Sequence, residues 1–359
     1  MPLHPAEIKK KRLIFRLSSL GDVVLACSAL EVAPPQGTTF ETDWVVSREF
    51  APLLEGHPRL RKVWSFDRRA GLVSWIRLCH ELWREGYDEV LDLHSSLRTA
   101  VARWLWRLWN LRGSVYRQRW PRWRVISKSR FRLYGMFLLK SLWPETLRPQ
   151  GSWTENFAKL AGGTGQERPR LAHLTGPFDF TVPSEPYFCV MPGSAWPGKR
   201  WPVERFVEVL QEVQSKMGLL PVILGTQKDL ASVELCKHLA LKKIPHFSGV
   251  GRLSLVENAK VLGASRGYLG NDTGLAHVAE AVGVPALVIF GPTVPEMGFA
   301  PWKKQSVSVG SSLGCRPCGK DGRFCYRILD RYACLRSVEA KSVSSSLNSM
   351  LKREPEVLS

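Results

Sequence analysis

The run Asn271-Asp272-Thr273-Gly274-Leu275-Ala276-His277 sets a carboxylate, a hydroxyl and an imidazole around a glycine, between a strand-like apolar stretch and a helical pattern. Asp272 or Thr273 can cap that helix, and the free N–H groups of its first turn can hold a phosphate or a carboxylate. The plainer alternative is that Asp272 only caps and His277 only packs. Capping by itself does not require glycine just after the cap with histidine a turn further on. A second anion candidate is Pro192-Gly193-Ser194-Ala195-Trp196-Pro197-Gly198-Lys199-Arg200-Trp201-Pro202. Its glycines permit close backbone approach, and Lys199 or Arg200 can neutralise a diphosphate. It lacks the glycine, four-residue, Gly-Lys-Ser/Thr spacing of a P-loop, which disfavours a P-loop ATPase. A basic surface loop ahead of an amphipathic helix is the alternative there.

Ser18-Ser19-Leu20-Gly21-Asp22 follows the first apolar run and lacks the second and third glycines of a dinucleotide fingerprint. Asp22 is either a helix-terminal charge or, if its loop faces an interdomain cleft, a general base. Cys315, Cys318, Cys325 and Cys334 cluster as Cys-x2-Cys-x6-Cys-x8-Cys. Four thiolates of this kind would bind a structural zinc tetrahedrally or hold an iron-sulfur cluster. The later gaps match no standard zinc finger, so reduced thiols or disulfides stay open. Cys27, Cys79, Cys189 and Cys236 are isolated in apolar surroundings and read as core thiols.

Elements that could position these residues alternate along the chain. Lys11 to Leu17, Thr42 to Ser47, Lys62 to Phe66 and Glu89 to Leu93 read as strands, with helical periodicity from Val23 to Leu30 and from Gly71 to Arg84. The second half repeats the logic, with strands at Tyr187 to Met191, Leu220 to Leu224, Arg266 to Leu269 and Ala286 to Phe290. Helices are expected between them at Phe206 to Met217, Leu230 to Leu239, Leu253 to Ala264 and Thr273 to Ala281. Such alternation predicts α/β architecture with parallel sheets covered on both faces, and ligands beyond the carboxyl ends of the strands. Two domains follow, 1–170 and 187–359, joined by a linker at 171–186 within the Gly-, Pro- and Thr-rich stretch from Ala161 to Pro186, with an active cleft between them.

The chain of 359 residues carries a formal charge of +19, which predicts attraction to polyanions without choosing among nucleic acid, acidic lipid and phosphorylated glycan. Arg98 to Arg148 holds 13 Arg or Lys residues against Glu145 alone, interleaved with Trp104, Trp106, Trp109, Trp120, Trp123 and Trp143. This stretch would coat nucleic acid, lie at an anionic membrane boundary as an amphipathic helix, or simply pack the domain. No run approaches 18 apolar residues and no cleavable leader stands out. The expected location is the cytoplasm, peripherally associated with the inner membrane.

Arg16-Leu17-Ser18-Ser19-Leu20-Gly21-Asp22-Val23-Val24, Pro192 through Pro202, Gly270 through His277, and Phe290-Gly291-Pro292-Thr293 together resemble, in order, the motifs of the bacterial lipopolysaccharide heptosyltransferases of glycosyltransferase family 9. The resemblance runs from about Arg12 to Leu347 and includes the ending Cys334-Leu335 before a last helix. It implies a GT-B fold of two Rossmann-like domains, an acceptor-binding amino-terminal one and a nucleotide-sugar-binding carboxyl-terminal one. It also implies an inverting, metal-independent transferase using ADP-heptose, with no cofactor required for catalysis. Asp22 would be the general base, Lys199 a diphosphate contact important for catalysis, and Asp272 a contact to the donor sugar. Ser194, Thr273, Gly274, Leu275 and His277 would surround the nucleotide and its phosphates, and Ser19 and Gly21 would shape the opposite wall.

One position departs from the pattern: His94 stands where many relatives have glutamine, so the acceptor contact there differs. Arg68, Arg69, His94 and Arg98 are the candidates for holding acidic core sugars or phosphates. The expected partners are an ADP-sugar, a lipid-linked lipopolysaccharide core ending in Kdo or the first heptose, and an anionic membrane face, with no nucleic acid. The competing readings are a transferase of the same fold using another nucleotide sugar, an inactive nucleotide-sugar-binding protein, and a basic nucleic-acid-binding protein.

Overall fold

A computed structural model describes residues 8–112, 120–127, 130–142, 151–176, 183–319 and 322–352. Trp143 and part of the 171–186 linker lie outside them. The chain divides into two compact units, one formed by 1–128 with 153–169 and the other by 129–152 with 170–359. Among the described residues, 130–142 and 151–152 thus group with the second unit.

The first unit is built on five parallel strands, β1 (Ile8–Phe15), β2 (Thr38–Ser47), β3 (Lys62–Phe66), β4 (Glu89–Asp92) and β5 (Arg122–Val125), in the order β3-β2-β1-β4-β5. The central strands are apolar without alternation, as in Leu13-Ile14-Phe15 and Trp44-Val45-Val46, because helices cover both faces. Those helices are α1 (Leu20–Ala26), α2 (Gly71–Arg84), α3 (Leu97–Arg112) and α5 (Trp153–Ala161). Trp75 of α2 and Trp106 of α3 are buried against Phe15 and Val45, and each such side chain contributes on the order of 2–3 kcal/mol. β1 begins three residues before Lys11, because Ile8 already pairs with Thr38 despite the exposed lysines between.

The second unit has six parallel strands, β6 (Tyr187–Met191), β7 (Leu220–Ile223), β8 (Phe247–Ser248), β9 (Tyr268–Asn271), β10 (Ala286–Phe290) and β11 (Val307–Gly310), in the order β11-β10-β9-β6-β7-β8. Around it lie α4 (Arg130–Leu139), α6 (Val203–Met217), α7 (Leu230–Leu241), α8 (Leu255–Gly263), α9 (Gly274–Ala281), α10 (Ala333–Arg336) and α11 (Ala340–Leu351). In α6, Val203, Phe206, Val207, Leu210 and Val213 recur at helical spacing and are buried, and Gly218 ends the helix in the left-handed region at φ 63°. In α8, the Ser254 hydroxyl accepts from the Glu257 N–H while the Glu257 carboxylate accepts from the Ser254 N–H, so the helix starts at Leu255 rather than Leu253.

Each unit is therefore a doubly wound, Rossmann-like sheet, the pair of units that makes up a GT-B chain. In each sheet the connections reverse direction once, between β1 and β4 and between β6 and β9. The loops leaving the carboxyl ends of those four strands are where ligands bind in such sheets. They carry Asp22, His94, Lys199 and Asp272.

Candidate functional site

In the second unit, Asn271 closes β9 and is wholly buried. Its side-chain amide donates to the Pro192 carbonyl at 2.6 Å and its side-chain carbonyl accepts from the Trp201 N–H at 3.1 Å. One residue thus ties both ends of the 192–202 loop to the neighbouring strand. Trp201 anchors the far end, with its indole N–H on the Val338 carbonyl at 3.1 Å and its ring edge-on to Phe206. The near end can approach only because residue 193 is glycine, since a Cβ there would lie 1.6 Å from an Asp229 carboxylate oxygen.

Lys199 projects from this loop to Asp272, with Nζ 2.6 Å from Oδ2, and the Thr293 hydroxyl donates to the same oxygen at 2.6 Å. Both partners of the ion pair are about nine-tenths buried, so their attraction is far less screened than at a surface. Arg200 does not join them; its Nε donates to the Ser194 carbonyl at 2.9 Å and braces the loop. The Ser194 hydroxyl in turn accepts from the Trp196 N–H at 3.3 Å. Thr273 precedes the first turn of α9, with its hydroxyl 3.4 Å from that of Tyr268, and Gly274 opens the helix. Leu275 and His277 are buried, and the His277 ring is stacked on Trp302 with centroids 5.8 Å apart and planes 12° off parallel. The result is a lysine, a carboxylate, a hydroxyl and a helix N-terminus at one sheet edge, a set suited to holding a diphosphate and an attached polar group.

Three residues behind this set have roles that the sequence did not disclose. Arg316 donates to the carbonyls of Phe290, Gly291, Thr293 and Ser311, and so fixes the loop that presents Thr293. Glu280, one turn after His277, is buried and accepts from the N–H groups of Trp302 and Lys303 and from the Ser306 hydroxyl. Burial pushes its carboxyl up to about 7 even though these donors favour the ionised form. Trp302 is held in its stack by that carboxylate. The only sequence cue for Arg316 and Glu280 is charge within otherwise apolar or loop surroundings, and Trp302 offers none.

In the first unit, Asp22 sits in the first turn of α1. One of its oxygens accepts from the Ser19 N–H at 3.2 Å and from the Ser19 hydroxyl at 2.8 Å, and the other lies 2.6 Å from Arg16 Nη2. Burial raises the carboxyl, but the Arg16 charge and the Ser19 hydrogen bonds together outweigh it and hold Asp22 below the usual carboxylate range. Arg16 is itself buried and uses Nη1 to hold the Leu93 carbonyl at 2.5 Å. It therefore joins the loop after β1 to the loop after β4, where the N–H groups of His94 and Ser95 donate to Asp92. Gly21, the residue before Asp22, is buried.

The acceptor candidates share this sheet edge. Arg98 at the start of α3 donates to the Arg68 carbonyl at 3.1 Å and lies over Phe66, the last residue of β3. The Arg68 guanidinium pairs with Glu49 at 2.6 Å, and the Arg69 N–H donates to Asp67 at 2.8 Å. Arg68 and Arg98 are thus adjacent, with Arg68 already part-neutralised.

The cysteine cluster gives no support to the expectation of zinc. Among the described residues, no group of three or more His, Cys, Asp or Glu side chains is placed to hold a metal ion, and Cys315, Cys318, Cys325 and Cys334 are all free thiols. Burial first, then neighbouring thiols, pushes the Cys334 thiol up to about 11. The segment packs behind the lysine loop instead, where a Cβ on Gly198 would meet the Gly322 carbonyl at 2.3 Å. The tryptophans divide between packing and exposure. Trp106 is buried, with Trp123 edge-on to it at 5.3 Å, whereas Trp104 is 59% exposed. Among the described residues, no helix is long and apolar enough to cross a membrane.

Comparison with known proteins places the chain. The model of glycosyltransferase family 9 (heptosyltransferase) matches residues 150–325. Lipopolysaccharide heptosyltransferase 1 of Pseudomonas aeruginosa is 28% identical over 336 residues, covering 86% of each chain. Lipopolysaccharide heptosyltransferase 2 of Salmonella typhimurium is 30% identical over 309 residues, covering 80% of this chain and 84% of the relative. The solved structure of E. coli ADP-heptose lipopolysaccharide heptosyltransferase II superposes with a TM-score of 0.67 at 20% identity, covering 95% of this chain and 98% of that one. Read with the two sheets and the residues at their switch points, these matches lead to one conclusion: the chain belongs to glycosyltransferase family 9.

Proposed function

We propose that the protein is an inverting heptosyltransferase that moves L-glycero-D-manno-heptose from ADP-heptose onto the lipopolysaccharide inner core, at Kdo or at the first heptose. The observation that carries this reading is the Lys199–Asp272–Thr293 group beside the first turn of α9. As ADP departs, its diphosphate gains negative charge, and Lys199 together with the free N–H groups of that turn would stabilise it. Asp272 would orient the donor sugar through its hydroxyls, while Ser194, Thr273, Gly274, Leu275 and His277 would line the nucleotide and its phosphates.

The first unit would supply the base and the acceptor contacts. Asp22 accepts the proton of the attacking hydroxyl. Its lowered pKa keeps it ionised and ready at neutral pH but makes it a weak base, which suits proton transfer that is late in the reaction and shielded from water. Ser19 and Arg16 fix both carboxylate oxygens, and Ser19 and Gly21 would shape the wall beside the base. Arg68, Arg69, His94 and Arg98 would meet the acidic sugars or phosphates of the core. Leu97, Trp104 and Leu111 are exposed at seven-residue spacing on one face of α3, with exposed Arg107 nearby, which supports peripheral contact with the anionic cytoplasmic face of the inner membrane.

A panel of truncated lipopolysaccharide cores, each offered with ADP-heptose, ADP-glucose and UDP-glucose, tests the reading. ADP-heptose with an acceptor ending in Kdo or one heptose should be preferred, and transfer should fall as salt screens the basic surface. Preference for a UDP-sugar, or equal use of a neutral acceptor, would leave a family 9 transferase of different specificity. Binding of single-stranded DNA tighter than that of ADP would overturn the reading altogether.

A further inference from the structure

We propose that the amino-terminal edge of the first sheet carries a second, non-catalytic anion site, which takes the phosphate of an anionic lipid headgroup or of a free phosphate. A cavity of about 600 Å³ opens there, lined by Lys10, Arg12, Phe40, Trp120, Arg122 and Arg124 together with Asp88 and Glu89. That volume falls within the range of small-molecule sites and exceeds what a bare ion needs.

The charges do not cancel. Asp88 accepts from the Lys11 N–H at 2.9 Å, and Glu89 pairs with both Arg12 at 2.8 Å and Arg124 at 3.5 Å. Two carboxylates therefore face four cations, and neither Lys10 nor Arg122 has an ion-pair partner among the described residues. The surplus of two positive charges can offset the monoanion of a lipid phosphodiester as well as the dianion of free phosphate. A guanidinium fork beside an ammonium is also the donor set that phosphate oxygens accept from.

Arg12 is the buried member. Only 6% of it is exposed, its guanidinium lies 3.6 Å above the Phe40 ring, and Nε is the one atom of it that hydrogen-bonds among the described residues. A desolvated cation with donors to spare in the lining of a cavity attracts an anion more strongly than a surface arginine does. Phe40 and Trp120 give the cavity an apolar wall for the organic part of a ligand.

The site is separate from the catalytic edge. All five strands are parallel, so the loops bearing Asp22, His94 and Arg98 leave at the opposite end from Lys10 and Arg122. Along β1, Lys10 and Phe15 are roughly 17 Å apart at the ordinary rise of a parallel strand. The cavity does adjoin α3, because the Arg107 guanidinium lies 5.6 Å from the centre of the Trp120 ring. The exposed apolar face of that helix makes a lipid headgroup the source that the geometry favours.

The test uses the full chain, as wild type and as the double variant Lys10→Gln/Arg122→Gln, both substitutions being at exposed side chains. A control, Lys237→Gln/Lys242→Gln, removes the same charge from α7 and the residue after it. Co-sedimentation is measured with vesicles of phosphatidylglycerol and phosphatidylcholine, and tryptophan fluorescence is titrated with inorganic phosphate. Near an anionic surface each cation is worth roughly fivefold in affinity, so the double variant should bind phosphatidylglycerol vesicles about thirtyfold more weakly. The control should lose less than threefold. Quenching by inorganic phosphate in wild type, absent from the double variant, would add free phosphate as a ligand; no quenching in either would assign the site to lipid alone. Equal loss in the control and the double variant, or a double variant that binds both probes as wild type does, would overturn the proposal. Transfer to a detergent-dispersed acceptor should be unchanged in the double variant, so loss of the heptosyltransferase reading would not be confused with loss of this one.

Discussion

The Arg16 guanidinium places Nη2 2.6 Å from the Asp22 carboxylate while Nη1 holds the Leu93 carbonyl, so one buried cation both sets the state of the aspartate and joins the two loops at the switch point of the first sheet. For Asp22→Asn this predicts a loss of sugar transfer of about 100-fold or more, the scale of a general base, with ADP affinity unchanged in isothermal titration. Because Arg16 would keep its charge beside a neutral amide, the variant should also lose roughly 1–3 kcal/mol of stability in denaturant unfolding. A tenfold or smaller loss of transfer with an authentic acceptor would remove Asp22 as the base.

Replacing the partner tests the electrostatics rather than the base. With Arg16→Met, the larger of the influences that together outweigh burial is gone, so the Asp22 carboxyl should rise. Protonation inactivates a base, and the acid limb of the kcat/KM profile should therefore move to higher pH while activity above it partly survives. An acid limb that stays in place would mean that another group titrates there.

Lys199→Ala removes the cation that faces the leaving diphosphate. Loss of one such electrostatic contact costs about 100- to 1000-fold in turnover, and donor KM should rise with it. Thr293→Val, which deletes only the hydroxyl on Asp272 Oδ2, should cost less, on the order of tenfold. Steady-state kinetics with varied ADP-heptose distinguishes them, and unchanged constants in both variants would dissociate this cluster from the donor.

Glu280 gives the protein a specific pH dependence. Its folded carboxyl, at about 7, is above its unfolded value, so the folded state binds the proton more tightly. Stability from this group is full below about pH 4.5 and falls as pH rises to 7, by about 3 kcal/mol at most, then levels off. Lys303, whose charge opposes the shift, and the hydrogen bonds from Trp302, Lys303 and Ser306 moderate it. Glu280→Gln should flatten the stability profile across that window in urea unfolding, while loosening of Trp302 should weaken ADP binding by several-fold. A wild-type profile parallel to that of the variant would exclude Glu280 as the titrating group.

Much of this was legible from the chain alone. Strands such as Tyr187–Met191 and Ala286–Phe290 are short apolar runs bounded by glycine-containing loops, and their limits agree with the sequence reading. β9 was not so clear: it was expected to end at Leu269 but continues through Gly270 and Asn271, because a Cβ at 270 would collide with the Met191 carbonyl and Asn271 is fully buried by its bonds to Pro192 and Trp201. β5, β8, β11, α4 and α5 were missed, the short strands because two to four residues carry no periodicity. Lys199, Asp272 and Asp22 could be singled out by residue type and spacing. Arg16, Thr293, Arg316 and Glu280 act through partners 5 to 77 residues away, and most such pairings become visible only once the strands are in register.

The central claim is heptosyl transfer, and mass spectrometry of an inner-core glycolipid incubated with the protein and ADP-heptose tests it most directly. The account predicts that wild type adds one heptose to the acceptor, with inverted anomeric configuration by NMR, and that Asp22→Asn leaves the acceptor essentially unmodified over the same time. An acceptor that gains no heptose from wild type, or gains it equally from wild type and Asp22→Asn, would contradict it.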